Sequence, residues 1–238
     1  MKTIPGDVWD MKVTMSDTIL PAEVAALASR LGADGKPDRV HLTQYGTMTE
    51  GPGKPWMRFS ATDTIELATT AFDWRARTGP LSCLTIVDQL SQRSARSELR
   101  LFGIFPLARS PFDEAALRKG QVIRYLAEIP WAPDVIVRNT SLQWTVRTRG
   151  VSVHQSSPFG RFNVDLDLDA EGRIGGVSAM DRPRLEDGRF VERAWRGRFS
   201  DYRLHCSRWI PFKGEVSWAI DGGFTTVWRA DLAAWQLT

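Results

Sequence analysis

From Asp38 onward a two-residue period dominates the chain. Val40, Leu42 and Gln44 alternate with His41, Thr43 and Tyr45, Gly51-Pro52-Gly53 turns the chain, and Trp56, Met57, Arg58 and Phe59 open the next run. Apolar side chains on every second residue belong to strands that bury one face. Residues 69–77, 81–89 and 97–105 continue the pattern, each bounded by Gly, Pro or Ser. Leu142, Trp144 and Val146 then face Val151 and Val153 across a hairpin around Gly150. Phe162, Val164, Leu166 and Leu168 alternate with Asn163, Asp165 and Asp167 before a turn at 169–172, and residues 173–179, 193–204, 213–220 and 224–235 supply four more strands.

Two segments follow the helical period instead. Leu20-Pro21-Ala22-Glu23 opens an Ala-rich stretch to Leu31, with Pro in its first turn and Gly32 and Gly35 past its end. Ser110-Pro111-Phe112-Asp113 combines a capping Ser, Pro at the first helical position and an acid three residues after the cap. Leu117, Ile123, Leu126 and Ala127 give the following helix, residues 111–128, an apolar stripe. Glu114 with Arg118 and Arg124 with Glu128 sit four apart on its polar faces. Pro130 and Pro133 end it. Gly120 in its middle costs about 1 kcal/mol relative to Ala, which predicts a break or a close approach there.

Few helices and many evenly spaced strands predict a mainly β (α+β) fold. One large antiparallel sheet, curled or closed to a half-barrel, encloses one amphipathic helix, with two packed sheets as the alternative. The chain shows no seam, repeat or low-complexity tract, so a single domain over 1–238 is expected, with 1–19 an N-terminal extension and 20–238 the half-barrel.

Composition narrows the function classes. The 238 residues are 42% hydrophobic and 25% charged, as in an ordinary globular protein. The net charge of +3 is spread along the chain. Residues 182–203 hold seven arginines, but Glu186, Asp187, Glu192 and Asp201 offset four of them, so a nucleic-acid partner is not expected. No apolar run is long enough for a membrane span. Met1 to Leu20 carries Asp7, Asp10 and Asp17 without an apolar signal region, which predicts a cytoplasmic location. Cys83 and Cys206 lie far apart, outside any C-x-x-C or Cys-His ligand spacing, and are expected to be buried, reduced thiols.

Cofactor motifs fail on spacing. No G-x-G-x-x-G or phosphate loop occurs, so no cofactor is expected. Asp165-x-Asp167-x-Asp169 begins like a calcium loop, but its sixth position is Ala170 and its twelfth Gly176. His41, His154 and His205 are isolated from one another, and no metal site is expected.

Several strings are more specific than composition. They are residues 122–131 (VIRYLAEIPW), 195–203 (WRGRFSDYR), Gly214-Glu215-Val216-Ser217-Trp218 with Trp228-Arg229, Leu20-Pro21, and Phe72-Asp73-Trp74-Arg75-Ala76. From about Leu20 to the C-terminus the chain resembles a bacterial family of uncharacterised proteins marked by an R-Y-L-A-E-x-x-W helix and a W-x-G-R-[WFY]-x-D-Y-R strand. The resemblance implies an architecture similar to LolA-like and LolB-like lipoprotein-localisation proteins, in which a curled antiparallel half-barrel covers a helix and encloses an apolar cavity. Fold alone does not fix function.

Ten tryptophans, at positions 9, 56, 74, 131, 144, 195, 209, 218, 228 and 235, are the loudest chemical signal. Some fill the core. Others suit a cavity wall, where rigid amphipathic rings are useful, and Trp131, Trp144, Trp195, Trp218 and Trp228 are the candidates. Alternation splits the run from Trp195 to Arg203 into a face with Trp195, Gly197, Phe199 and Asp201 and a face with Arg196, Arg198, Ser200 and Tyr202. With the first face inward, Asp201 lies at the rim or pairs with a buried cation. With the second inward, Arg198 and Tyr202 would hold an anionic head group, unless these arginines are simply solvated. Glu128 and Tyr125 lie on the enclosed helix. They read either as a general acid or base with a neighbouring donor, or as a docking contact in which Glu128 pairs with an Arg of the sheet.

Two functions from different classes follow. One is binding of a lipophilic small molecule in a Trp-lined cavity, with Arg198, Tyr202 and Glu128 at its polar end. The other is a cofactor-independent cyclase, isomerase or hydrolase working in the same cavity through Glu128 and Tyr125. A filled interior would instead mean a structural role.

Overall fold

Thirteen antiparallel strands form one continuous sheet in the computed structural model, which describes residues 20–109, 113–158 and 160–238. The first six are β1 (Arg39–Met48), β2 (Met57–Glu66), β3 (Phe72–Thr78), β4 (Leu84–Leu90), β5 (Ala95–Leu101) and β6 (Phe105–Arg109). The remaining seven are β7 (Leu142–Arg147), β8 (Gly150–Ser157), β9 (Gly160–Leu168), β10 (Ile174–Glu186), β11 (Arg189–His205), β12 (Arg208–Ile220) and β13 (Gly223–Leu237). Two meanders run in opposite directions from a central seam, where β1 pairs with β13, so the spatial order is β6-β5-β4-β3-β2-β1-β13-β12-β11-β10-β9-β8-β7.

Among the described residues the α-helices are α1 (Ala22–Leu31), α2 (Glu114–Ala127) and α3 (Val135–Arg138). Helix α2 packs against β4 and β5 from one wing of the sheet and β9 and β10 from the other. The wings can share one helix only because the sheet curls around it, which makes the fold a half-barrel. Gly32 ends α1 in the left-handed region at φ +80°, its N–H bonded to the carbonyls of Ala28 and Ser29. A side chain there would also strike the Ser207 carbonyl. The position therefore requires glycine for both conformation and space.

Helix α2 starts later than its sequence signal. Asp113 is the N-cap and accepts from the Ala116 N–H at 2.9 Å, while Ser110 and Pro111 lie outside the described residues. Gly120 neither breaks nor kinks the helix, and its nearest neighbour across the packing face is the Pro183 carbonyl of β10.

Other departures have local causes. The expected strand over 97–105 is split by a turn, with Phe102 at φ +51° and Gly103 at φ +72°, and its tail becomes the edge strand β6. A 3-10 turn at Pro80–Ser82 delays β4 to Leu84, and the prolines that end α2 are followed by the short α3. The cysteines are not buried: Cys83 is partly exposed, and Cys206 is exposed. Cys206 and Ser207 form a two-residue hairpin turn with φ +47° and +62°, a place at the tip of the β11–β12 hairpin and not in the core.

Candidate ligand cavity

Between α2 and the concave face of the sheet lies a cavity of about 300 Å³. Its floor is built by β11 and β12, whose register sets Trp195 opposite Trp218, Gly197 opposite Val216 and Phe199 opposite Gly214. All six line the cavity, so the aromatic face of the 195–203 run points inward as far as Phe199. The two glycines make room. A Cβ at Gly197 would lie 2.8 Å from Val177 Cγ2, and one at Gly214 would lie 2.9 Å from Trp131 Cζ2.

Trp131, in the turn after α2, lays its indole over Gly214 and donates from Nε1 to the Pro211 carbonyl at 2.9 Å. Its ring stands edge-on to Phe199 at 4.9 Å and meets Trp228 at 6.3 Å. Trp228 in turn stacks on Phe59 at 5.7 Å. Such pairs add about 0.5–1.5 kcal/mol each beyond area burial and hold the rings in place. Trp74 forms a further wall, with Nε1 donating to Gln44 Oε1 at 3.3 Å.

One end of the cavity is charged. Arg124, on α2, donates from Nε to Glu128 Oε1 at 2.8 Å and from Nη1 to Asp88 Oδ2 at 2.7 Å, with Asp63 Oδ2 3.9 Å from Nη2. Its guanidinium also sits 4.6 Å from the Trp74 ring centre and 4.9 Å from that of Phe72. Burial works against the charged form of Arg124, but the Glu128 and Asp88 carboxylates, first among its partners, outweigh it and hold the guanidinium ionised. Asp63 goes the other way: burial, then the Glu128 charge, push its carboxyl well above the ordinary 3.8. Both Asp63 oxygens and Glu128 Oε2 are shielded from solvent without a hydrogen-bond partner among the described residues. A neutral Asp63 is the form that fits such a site.

Arg182 enters from β10, where a bulge between Ala179 and Arg182 shifts the pairing with β11 by one residue. Strict alternation from Val177 and Ala179 would turn Arg182 outward; the extra residue re-aims it into the cavity. Its guanidinium lies 4.6 Å from the Trp195 ring centre and 5.4 Å from that of Trp218. Burial, then repulsion from Arg124, push it down to about 10.

The structure brings Glu128, Trp131, Trp195, Trp218 and Trp228 together at this cavity. It places Arg198 at an exposed position on the opposite face of β11. Asp201, at φ +57°, interrupts the alternation, and the Tyr202 hydroxyl donates to the Ile174 carbonyl at 2.7 Å beneath Arg173. Trp144 stands on β7, partly buried against the core and away from the cavity lining. The Tyr125 hydroxyl donates to the Glu66 carbonyl at 3.0 Å and accepts from Asn139 at 3.1 Å, also away from the cavity. The expected bond from Glu128 to an arginine of the sheet is reversed: the cation is on the helix, and the carboxylates Asp88 and Asp63 are on β4 and β2. Arg124 and Glu128, expected on a polar surface, are an interior pair, because α2 is covered by both wings.

Asp63, Gln44, Trp74, Asp88, Arg124 and Arg182 complete the site beyond the candidates named from the sequence. Two of them left a signal. Asp63 occupies an apolar register, after Phe59 and Ala61 and before Ile65, and Gln44 follows Val40 and Leu42 in the same way. A polar residue on the buried face of a strand needs a partner or a task. Arg182 left none, because the bulge hides its direction.

Among solved structures, the chain is similar in fold to a LolA superfamily protein from Nitrosomonas europaea, with a TM-score of 0.52 and 9% identity over 90% of this chain and 93% of the other. A domain named for outer-membrane lipoprotein sorting, from Vibrio parahaemolyticus, gives 0.52 and 9% over 90% and 91%. A DUF1329 family protein from Desulfovibrio piger gives 0.50 and 9% over the same shares. None of the curated proteins matches. Residues 5–230 match the model of DUF6544, a family of unknown function, and the chain belongs to that family.

Proposed function

We propose that this protein binds a lipophilic small molecule in the Trp-lined cavity. The observation that carries the reading is a half-open pocket of about 300 Å³ walled by Trp131, Trp195, Trp218 and Trp228. That volume is the lower end of the ordinary range for ligand pockets, about 300–1,000 Å³. Its shape depends on Gly197 and Gly214, where any side chain would press on the neighbouring wall. Mostly apolar walls with a few polar groups at one end favour a ligand with an aliphatic body. The likeness in fold to a domain named for lipoprotein sorting is in keeping with this.

The alternative, a cofactor-independent cyclase, isomerase or hydrolase, draws on the Glu128 carboxylate, whose Oε2 is free beside Asp63. Tyr125, its intended proton donor, is bonded to Glu66 and Asn139 instead. Binding is therefore the reading we adopt. Titration with decanol, followed by indole fluorescence, tests it. A saturable change with a stoichiometry near one supports the cavity; a linear, unsaturable response contradicts it.

A further inference from the structure

Resting on the cavity reading, the geometry points to a ligand class: we propose that Arg182 anchors a compact oxyanion, so that the ligand is a single-chain amphiphile ending in a carboxylate or phosphate monoester. The chain of such a molecule would lie along the Trp131, Trp195 and Trp228 walls, with its head between the Trp218 ring and the charged end of the cavity.

The two cavity arginines are in opposite conditions. Arg124 is satisfied: Asp88 and Glu128 each accept from it at under 3 Å, and Asp63 lies next to it. Arg182, by contrast, makes no ion pair or hydrogen bond among the described residues, and its Nε is sealed from solvent without an acceptor. Contact with Trp195 and Trp218 offsets part of the cost, since a guanidinium over an indole gains about 0.5–2 kcal/mol. It supplies no acceptor. Arg182 is half-buried, with its Nε sealed from solvent. A sealed donor of a cation without an acceptor is costly, and that cost is relieved when a ligand brings the acceptor. The planar fork of Arg matches the paired oxygens of a carboxylate or phosphate, and its ring contacts fix its plane before the ligand arrives.

The carboxylates of the cavity do not reverse this preference. Asp88 and Glu128 are engaged by Arg124 and attract Arg182 only through space, Glu215 is paired with Arg229, and Asp63 is held toward its neutral form. A cationic head would have to compete with Arg124 for them and would meet Arg182 as a like charge.

The test titrates the full chain with four probes of equal chain length, decanoate, decyl phosphate, decanol and decyltrimethylammonium, each read by indole fluorescence. The proposal expects at least one of the two anions to bind tenfold or more tightly than decanol, and the ammonium to bind more weakly than decanol. Preference for decanoate over decyl phosphate assigns a carboxylate head, and the reverse a phosphate. Arg182→Met should erase the anion preference, read as the ratio of anion to decanol affinity in the same variant, and Arg182→Lys, which keeps the charge but loses the fork, should retain part of it. The Lys variant serves alone if the Met variant fails to fold, and full retention of the preference in it would overturn the fork argument. Equal affinity for anions and decanol, or an unchanged preference in Arg182→Met, overturns the anchor and leaves the cavity standing. Absence of saturable binding by all four overturns the cavity reading itself and the anchor with it.

Discussion

Arg124 Nη1 lies 2.7 Å from Asp88 Oδ2, an ion pair that fastens α2 to β4 through an otherwise apolar interior. The same guanidinium holds Glu128 of its own helix, so one cation serves carboxylates from two elements. Breaking a buried pair from one side leaves uncompensated charge, which typically costs about 3–5 kcal/mol. Arg124→Met should therefore destabilise the protein by about that much in urea denaturation at neutral pH. Glu128→Gln should cost clearly less, because Arg124 keeps Asp88 and the loss of the Glu128 charge lets Asp63 ionise in its place. Equal losses in the two variants would show that Asp63 does not compensate.

Stability should respond to pH through Asp63 in a defined direction. Its folded pKa is raised above 3.8, so the folded state retains a proton that the unfolded chain releases. That contribution is complete below 3.8 and declines as the pH rises toward the folded value. Asp63→Asn keeps the shape without the titration. The variant should be more stable than the parent at mildly alkaline pH, with the gap closing toward pH 4. A constant gap, measured by thermal melts across that range, would contradict the assignment. Glu98 acts in the opposite sense: Arg96 and Arg100 hold it at about 2, so its stabilisation is present above 4.5 and is lost as the pH falls toward 2.

Two glycines should respond oppositely to the same substitution. At Gly120, in the middle of α2, a Cβ would lie 3.8 Å from the Pro183 carbonyl, an ordinary contact, so Gly120→Ala should raise stability by about 0.5–1 kcal/mol through helix propensity. At Gly214 a Cβ would press on the Trp131 ring at 2.9 Å. Gly214→Ala should cost about 1–3 kcal/mol, the usual range for overpacking, and weaken decanol binding by shrinking the cavity. Urea midpoints moving in the same direction for both would show that packing has been misread at one of them.

Sequence periodicity carried most of the architecture, because a sheet with one buried face writes that face into every second residue. Periodicity groups Trp195, Gly197 and Phe199 on one face without saying which face is inward, which the structure supplies, and the helical period gives the apolar stripe of α2. What it does not encode is where the period slips. The bulge before Arg182 and the positive φ at Asp201 each leave the residue pattern unchanged while altering which side chains face inward. Tyr202 and Arg182 therefore both turn inward where strict alternation would point them out, Tyr202 onto the Ile174 carbonyl and Arg182 into the cavity. Charge pairing across the curl is hidden for a different reason. Arg124, Asp88 and Asp63 are far apart in sequence and meet only when both wings close on α2, so the spacing of Arg124 and Glu128 reads locally as a solvent-facing pair.

An aliphatic chain is the proposed occupant of the Trp-walled pocket. A crystal structure of the complex with a bromine-terminated decanol tests it most directly, since the anomalous signal of bromine locates the chain without reliance on shape. One bromine per protein should lie inside the cage of Trp131, Trp195 and Trp228, within about 4.5 Å of at least one ring. Bromine found only on the outer face of the sheet, with the interior packed to normal density, would contradict it.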